Sequence, residues 1–319
     1  MKKLVFILLW AFVIGSLGVP AYAEGPKVDF TLGIGQLRGD TTYQIGGKYV
    51  TPSTSGEYRF PISKLEFPLD VYMVSGGGSI EFAEKWKVNV GVKKNITSDA
   101  GKMKDSDWGI WYYEVSWWTD PDSLDIYSES DAELDALIMD INFRYRFYEK
   151  GNWSFTAGLG YIRQNFDYEV SNVDQWYPSL NDYYGYDIGH DRLSGKVLTY
   201  EVIYSIPYIE IAPKLKIKDK FSVELSLGYS PFVNVEDEDN HILRSKVSKG
   251  DCDGNATLLS LEGRYDFLKH WFLTLQLHYM TIDTDGKQKQ YTEGVWTATI
   301  DQKIMSEQTF AAFALGFEF

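Results

Sequence analysis

Apolar and polar residues alternate along most of this 319-residue chain. Every second side chain is apolar from Trp86 to Val92, and the same period recurs from Trp153 to Tyr161, from Phe221 to Tyr229 and from Trp271 to Tyr279. A period of two places the apolar side chains on one face of a β-strand and the intervening residues on the other. The pattern therefore predicts a fold built from strands.

Aromatic residues stand at the ends of several of these stripes and make up 16% of the chain. This distribution is typical of outer-membrane barrels, whose apolar side chains face lipid between two aromatic girdles. A soluble β-sandwich shows the same alternation but rarely exposes so many aromatic side chains. The last predicted strand also ends in Phe319, as is common in bacterial outer-membrane barrels. We therefore predict a barrel rather than a sandwich.

Ten strands are predicted, an even number that suits a closed antiparallel barrel. They span residues 28–43, 57–73, 79–94, 133–148, 153–170, 197–214, 220–236, 254–267, 271–284 and 305–319. Short turns are predicted at 76–78, 149–151, 216–219 and 268–269, and long connections at 44–56, 95–132, 171–196, 237–253 and 285–304. Short turns face the periplasm in such barrels, and long loops face outside. The predicted fold class is all-β, a ten-stranded antiparallel transmembrane β-barrel of the outer membrane with long extracellular loops.

The N-terminus resembles a secretory signal peptide. Lys2 and Lys3 precede a short apolar run, and Ala21-Tyr22-Ala23 fits the small-x-small cleavage pattern. We predict a signal peptide over residues 1–23 and one mature barrel domain over 24–319. The alternative is an uncleaved membrane anchor.

Charge and cysteine content exclude several classes of protein. The chain has 31 Lys and Arg against 45 Asp and Glu, a formal net charge of −14, which argues against a nucleic-acid partner. Beyond the N-terminus no stretch approaches the roughly 20 apolar residues that a membrane helix needs, so a helical transporter is not expected. With Cys252 as its one cysteine, the chain has no disulfide within it.

Two short acidic motifs fall in the predicted outer loops. Asp105 and Asp107 are two residues apart, so on an extended chain both carboxylates point to the same side and can hold a water or share a proton. Taken alone, this pair is better explained as a solvated or cation-binding face. Asp239 and His241 have the same spacing, and an Asp beside a His makes a general-base dyad. A lone pair of this kind is often chance, but both pairs are predicted near one rim, where they can face each other across the mouth.

These motifs, with several others along the mature chain, resemble the omptin family of outer-membrane proteases. The matching stretches are Leu32-Gly33 through Leu37-Arg38-Gly39, Ser63-Lys64-Leu65-Glu66-Phe67, Gly160-Tyr161, Pro207-Tyr208-Ile209 and Arg244-Ser245-Lys246. The resemblance implies a ten-stranded barrel that cuts peptides at the bacterial surface, with its active site facing the extracellular side. Its catalytic residues would be Asp105, Asp107, Asp239 and His241.

The mechanism implied by the resemblance uses a water held between the Asp pair and His241. His241, supported by Asp239, takes its proton as the water attacks the scissile carbonyl, and the Asp pair positions the water. It involves no metal and no covalent acyl-enzyme, and no Ser or Cys is placed beside the dyad to act as a nucleophile.

Two departures from the family affect specificity and activation. Omptins favour cleavage between basic residues; one acid of their pocket is kept as Asp237, whereas Tyr43 stands where the family has a Glu. Cationic peptides remain the expected substrates, because the rim is acidic. Family members also require lipopolysaccharide and hold its phosphates with basic residues. The matching positions here are Asn165 and Ile203, with Arg163 nearby, so this lipid is expected only as a hypothetical activator and no other cofactor is implied.

The sequence leaves two alternatives open. The first is an omptin-like barrel that no longer cuts peptides and serves as a surface adhesin or receptor. The second is a small pore, although ten strands leave a narrow lumen that side chains can largely fill.

Overall fold

The computed structural model describes residues 25–114 and 120–319, so the predicted signal peptide, residues 1–23, lies outside the described residues. The strands form one antiparallel sheet. They are β1 (Lys27–Val50), β2 (Ser55–Glu57), β3 (Ser63–Pro68), β4 (Val71–Phe82), β5 (Trp86–Asn95), β6 (Asp99–Trp108), β7 (Leu124–Lys150), β8 (Trp153–Trp176), β9 (Asp191–Lys218), β10 (Phe221–His241), β11 (Lys246–Asp266), β12 (Trp271–Thr292) and β13 (Val295–Glu318). Two short helices, α1 (Ile110–Glu114) and α2 (Pro178–Tyr184), and a 3-10 turn (Ile242–Arg244) lie between strands. Among the described residues, none of the helices is long and apolar enough to cross a membrane.

The sheet closes on itself because β13 pairs with β1 along its whole length, from Asp29 opposite Glu318 to Val50 opposite Thr299. Two of the ten barrel strands are interrupted, so that each consists of two shorter strands. β3 and β4 both pair with β1, and β5 and β6 both pair with β7. The ten-stranded antiparallel barrel predicted from the sequence is therefore confirmed.

An apolar belt surrounds one part of the barrel. Its side chains are exposed and meet as neighbours across the strands, as Leu159 meets Ile209 and Leu275 meets Phe313. Leu32 is 75% exposed and lies beside Leu315. Outward-facing apolar side chains at matching heights are the surface that lipid chains cover in an outer-membrane barrel.

The interior changes character along the barrel axis. At the height of the belt it holds charged side chains, with Arg144 bound to Glu210 at 2.7 Å and to Glu224 at 2.5 Å. Nearer the end opposite the chain termini, which we call the far end, aromatic rings fill it. Phe67 stacks on Tyr200 with ring centroids 4.4 Å apart and lies 4.9 Å from Tyr168. This aromatic layer fills the lumen beneath the far end of the barrel.

The prediction of a turn at residues 76–78 is wrong. Gly76, Gly77 and Gly78 lie inside β4 and pair with both neighbouring strands, and the chain turns instead at 83–85, where Ala83 and Glu84 have positive φ. Glycine predicts a turn because it tolerates unusual backbone angles, but the ladder of hydrogen bonds continues through these three residues. The predicted strand boundaries at 73 and 79 are wrong for the same reason.

Most residues predicted as long outer loops are strand. Four residues, 242–245, join β10 to β11, where the sequence predicted a connection over 237–253. Likewise, 293–294 joins β12 to β13, and the connection predicted over 95–132 contains β6 and the start of β7. Beyond the apolar belt the outward side chains are polar, so the apolar stripe ends while the strands continue. Asp105, Asp107, Asp239 and His241 consequently stand on strands rather than on loops.

Candidate active site

The first acidic pair lies near the end of β6. Asp105 is held between Leu65 of β3 and Ser128 of β7, and Asp107 lies opposite Ser63 of β3. Burial raises the pKa of both carboxyls, that of Asp105 well above its ordinary value, and the charge of Asp107 raises the pKa of Asp105 further. Asp105 Oδ1 is buried without a hydrogen-bond partner among the described residues. Two neighbouring, partly buried carboxyls of this kind favour sharing one proton.

The Asp–His pair stands at the end of β10. His241 Nε2 lies 3.0 Å from Asp239 Oδ2, and the Asp239 side chain is 1% exposed. The two atoms are in contact, but neither Asp239 oxygen has an aligned hydrogen-bond partner in the described part of the chain. A buried carboxylate with unused oxygens stabilises positive charge on the adjacent imidazole. The ring is therefore placed to accept a proton.

The two pairs meet across the far end of the barrel, although three strands separate β6 from β10. Asp105 and His241 line one cavity of about 100 Å³, together with Arg244, Leu193 and Leu243; we call it the mouth cavity. The charge of Asp239 helps to raise the pKa of Asp105, and the charge of His241 helps to lower that of Asp107. The structure thus brings together the four residues that the sequence singled out.

Asp237, the further acid that the sequence singled out, lies in a separate buried cluster with Tyr43, Tyr200, Gln288 and Gln302, which we call the acid pocket. Asp237 is 6% exposed, and its Oδ2 accepts a hydrogen bond of 2.9 Å from Gln302 Nε2. Its Oδ1 is buried and has no hydrogen-bond partner among the described residues. Burial, followed by the charge of Asp239, raises the pKa of Asp237 to about 7. An unused oxygen on a buried carboxyl is a place for a cationic ligand to bind.

Tyr43 closes the acid pocket on the β1 side. Its ring lies 5.8 Å from that of Tyr200, and its hydroxyl accepts a hydrogen bond from Gln288. Burial raises the pKa of this phenol well above its ordinary value, and the charges of Asp239 and Asp237 raise it further. Tyr43 therefore stays neutral and contributes no second negative charge to the pocket.

Several residues of this region were not singled out by the sequence. Lys246 lies opposite His241 in the strand pairing, and burial lowers the pKa of its ammonium group. Gln302, Gln288 and Tyr200 complete the acid pocket from three other strands. These residues occupy inward-facing positions in the alternating pattern, and this is the one sequence signal that could have indicated them.

The three positions considered for lipid contact lie on the outer wall. Asn165 and Ile203 are cross-strand partners, and Arg163 is exposed two residues before Asn165 on the same face. Arg163 follows Tyr161, an exposed aromatic residue at the edge of the apolar belt. In residues 25–114 and 120–319, no group of three or more His, Cys, Asp or Glu side chains is arranged to hold a metal ion.

Comparisons with known proteins agree with this architecture. The model of the omptin family matches residues 26–314. Among solved structures, the outer membrane protease OmpT from Escherichia coli superposes with a TM-score of 0.78 at 15% sequence identity, covering 92% of this chain and 97% of that one. OprG from Pseudomonas aeruginosa matches with a TM-score of 0.36 at 13% identity, over 91% of this chain and 95% of its own, too weakly to carry an argument. A comparison with curated protein sequences gives no match.

Proposed function

The chain belongs to the omptin family, a family of bacterial outer-membrane proteases, and we propose that it hydrolyses peptide bonds at the cell surface with a water activated by an Asp–His dyad. The dyad is Asp239 and His241, and the Asp105–Asp107 pair lies opposite it. One observation carries the proposal: Asp105 and His241, from strands on different sides of the barrel, line the same cavity. The site lies at the end opposite both termini, which is the outer end in barrels of this kind.

The proposed reaction begins with a water between the two pairs. His241 takes a proton from this water as the water oxygen attacks the scissile carbonyl, and the buried Asp239 carboxylate stabilises the imidazolium that forms. His241 then gives the proton to the leaving amine. Side-chain carboxyls and an imidazole supply all of this chemistry, so the enzyme would be of the aspartic type.

Asp105 and Asp107 act on the opposite side of the water. Burial raises the pKa of both, which favours a pair that shares one proton and carries a single negative charge. The ionised oxygen accepts a hydrogen bond from the water, and the protonated carboxyl donates one to the developing oxyanion. Arg244, whose charge acts on both carboxyls, limits the negative charge in the cavity as the tetrahedral intermediate forms.

We propose that the enzyme prefers a cationic residue immediately before the scissile bond. Asp237 supplies one carboxylate with an unused oxygen, and Gln302 fixes the other oxygen. Because Tyr43 is neutral, the pocket has one negative charge and favours Lys or Arg through that charge alone. The net charge of −14 also attracts cationic peptides at long range.

Replacing Gly250 with alanine is expected to weaken cleavage after Lys by about tenfold or more. Gly250 lies beneath Asp237 and Gln302, and a β-carbon there would overlap Asp237 Oδ1 and Gln302 Oε1. The carboxyl must move, and its contact with a substrate cation depends on position. The measurement is kcat/KM for a Lys-containing peptide, with Gly91→Ala as a matched control, because a β-carbon at Gly91 meets nothing within 4 Å. Equal activities of the two variants would contradict the proposed role of Asp237.

Lipopolysaccharide is proposed as an activator rather than a cofactor in the reaction. Arg163, at the edge of the apolar belt, would bind a lipid phosphate in place of the basic residues absent at Asn165 and Ile203. Full activity of the protein refolded without the lipid would contradict this part of the proposal.

The test of the function is peptide cleavage by the barrel refolded in detergent, with and without lipopolysaccharide, on a library rich in Lys and Arg. Cleavage that is lost in both Asp239→Ala and His241→Ala supports the mechanism. If the folded barrel cuts no peptide in the presence of the lipid, the proposal fails and a surface adhesin or receptor becomes the better explanation.

A further inference from the structure

The lumen opens into a wide cavity at the end of the barrel that carries both chain termini. This cavity has a volume of about 910 Å³ and is lined by the strand ends and turns at that end; we call it the basal vestibule. Its lining shares no residue with the mouth cavity, which lies at the far end of the barrel. In the orientation proposed above, the basal vestibule faces the periplasm.

Three arginines take up nearly all the acidic side chains of the basal vestibule. The ion pairs are Arg144–Glu224, Arg146–Glu81, Arg146–Glu149, Arg264–Asp29, Arg264–Asp266 and Arg264–Glu318, with N–O distances of 2.5–4.0 Å. Among the carboxylates that line the vestibule, Asp219 is the one without an ion pair in the described part of the chain. Carboxylates held by guanidinium groups are not free to neutralise other cations nearby.

Six lysines line the same vestibule and are left unneutralised. They are Lys27, Lys85, Lys87, Lys214, Lys216 and Lys218. Among the described residues, none of their ammonium nitrogens has a carboxylate oxygen within 4.0 Å. Three of the six stand on alternate residues at the end of β9, so their side chains share the luminal face; we call these three, Lys214, Lys216 and Lys218, the lysine stripe. This concentration of positive charge, in a chain of net charge −14, attracts anions.

The strands on either side of the lysine stripe supply neutral hydrogen-bond donors. On β8, Ser154 stands opposite Lys214, and on β10, Ser222 stands opposite Lys216. Both serines line the vestibule. Lys214 also stands opposite Glu224 of β10, but that carboxylate is one of those bound by the arginines. Ammonium groups flanked by hydroxyl groups can hold an anion by charge and by hydrogen bonds together.

The spacing of the lysine stripe indicates which kind of anion fits. Alternate residues on a strand are about 6.8 Å apart, because each residue advances the chain by about 3.4 Å. An extended acidic peptide has the same repeat, since its alternate side chains also point to one side. Lipid headgroups cannot reach the stripe from the bilayer, because the stripe faces the lumen whereas the apolar belt faces outward.

We propose that the basal vestibule binds an extended acidic segment of a periplasmic protein, with carboxylates on alternate residues paired to the lysine stripe. The binding itself needs none of the residues of the proposed hydrolysis. Only the assignment of the partner to the periplasm rests on the orientation given with the proposed function.

The experiment measures binding of two labelled peptides to the refolded full-length barrel in a nonionic detergent by fluorescence anisotropy. In the first peptide four Glu alternate with Ser, and in the second the same four Glu are contiguous. We expect the alternating peptide to bind at least about fivefold more tightly than the contiguous one. Its Kd should rise by about tenfold between about 50 and about 300 mM salt, because salt screens exposed charges.

The informative variant replaces all three lysines of the stripe with glutamine and should weaken binding of the alternating peptide by about tenfold or more. The matched control replaces Lys150, Lys220 and Lys269 with glutamine. These lysines are exposed at the same end of the barrel but lie outside the vestibule lining, so the control loses the same charge and should keep its Kd within about twofold. Both variants are checked for folding by their heat-modifiable shift.

Equal Kd values for the two peptides, or equal losses in the two triple variants, overturn the proposal, because charge alone would then explain the binding. Displacement of the alternating peptide by inorganic phosphate as effectively as by unlabelled peptide would indicate a site for a small anion and would also overturn it. So would the absence of binding to the folded parent at low salt. None of these results depends on whether the barrel hydrolyses peptides.

Discussion

Replacing His241 with alanine is expected to lower kcat by about 10²–10⁴-fold, the usual contribution of a positioned general base. His241 ends β10 and its side chain is 21% exposed, so its loss should leave the barrel folded. The measurement is steady-state cleavage of a Lys-containing peptide, with the heat-modifiable shift of the folded barrel checked by electrophoresis. KM should change little, because the imidazole acts on the water rather than on the substrate side chain.

His190 provides the matched control for this substitution. It forms the same kind of pair, with Nδ1 2.9 Å from Asp174 Oδ1, but neither residue lines the mouth cavity. His190→Ala should keep kcat within about twofold of the unsubstituted protein. If both variants lose activity equally, or if His241→Ala stays active, His241 is not the base.

The sequence predicted the four central residues because strand geometry is local. Two residues at i and i+2 on a strand point to the same side whatever the rest of the fold does, so the sequence could single out the Asp105–Asp107 and Asp239–His241 pairs, whereas their catalytic roles followed from the resemblance to the omptin family. The count of ten strands followed from the apolar stripes, each of which marks a crossing of the lipid.

The sequence could not predict where the strands end beyond the lipid. The wall between Val235 and His241 is polar on its outer face, so the period-two signal in hydrophobicity is lost although the strand continues. The wrong turn at 76–78 has a related cause. Glycine is ambiguous between a turn and a strand interior until its pairing partners are known.

The sequence also could not predict which residues form the mouth cavity and the acid pocket. Gln302 contacts Asp237, which is 65 positions away in the sequence, and Leu243 of the turn after β10 shares a cavity with Leu193 of β9. These contacts depend on the stagger between strands, which the pattern of a single strand does not determine. The same stagger decides that Tyr43 adjoins Asp237, a placement that the sequence could infer only from the family resemblance.

Replacing Asp237 with asparagine is expected to weaken cleavage after Lys at pH 8 by about 30-fold or more. Truncating one partner of a buried charge pair costs about 2 kcal/mol or more, which corresponds to this factor. The loss should fall on kcat/KM for Lys and Arg peptides and be smaller for peptides with Gln before the cut. In the unsubstituted protein, kcat/KM for Lys peptides should decline as the pH falls below about 7, since Asp237 then becomes protonated. That part of the decline should be absent in Asp237→Asn.

The same substitution is expected to stabilise the barrel at pH 8. Burial raises the pKa of Asp237 from an ordinary 3.8 to about 7, so the folded state holds a proton that the unfolded state has already released. The free energy of unfolding must then fall as the pH rises from about 4 to about 7 and stay lower above that range. The difference is at most about 4 kcal/mol at 1.36 kcal/mol per pKa unit. Asparagine does not titrate, so thermal unfolding in detergent should show the variant more stable than the parent at pH 8 and nearly equal to it at pH 4.

A less stable variant at pH 8, or the same difference in stability at both pH values, would show that the charge of the buried carboxyl does not destabilise the barrel. Higher stability combined with loss of cleavage after Lys would instead separate the two roles of Asp237. Its charge would then be retained for binding a cation, at the expense of a more stable barrel, because one carboxylate oxygen is buried without a partner among the described residues.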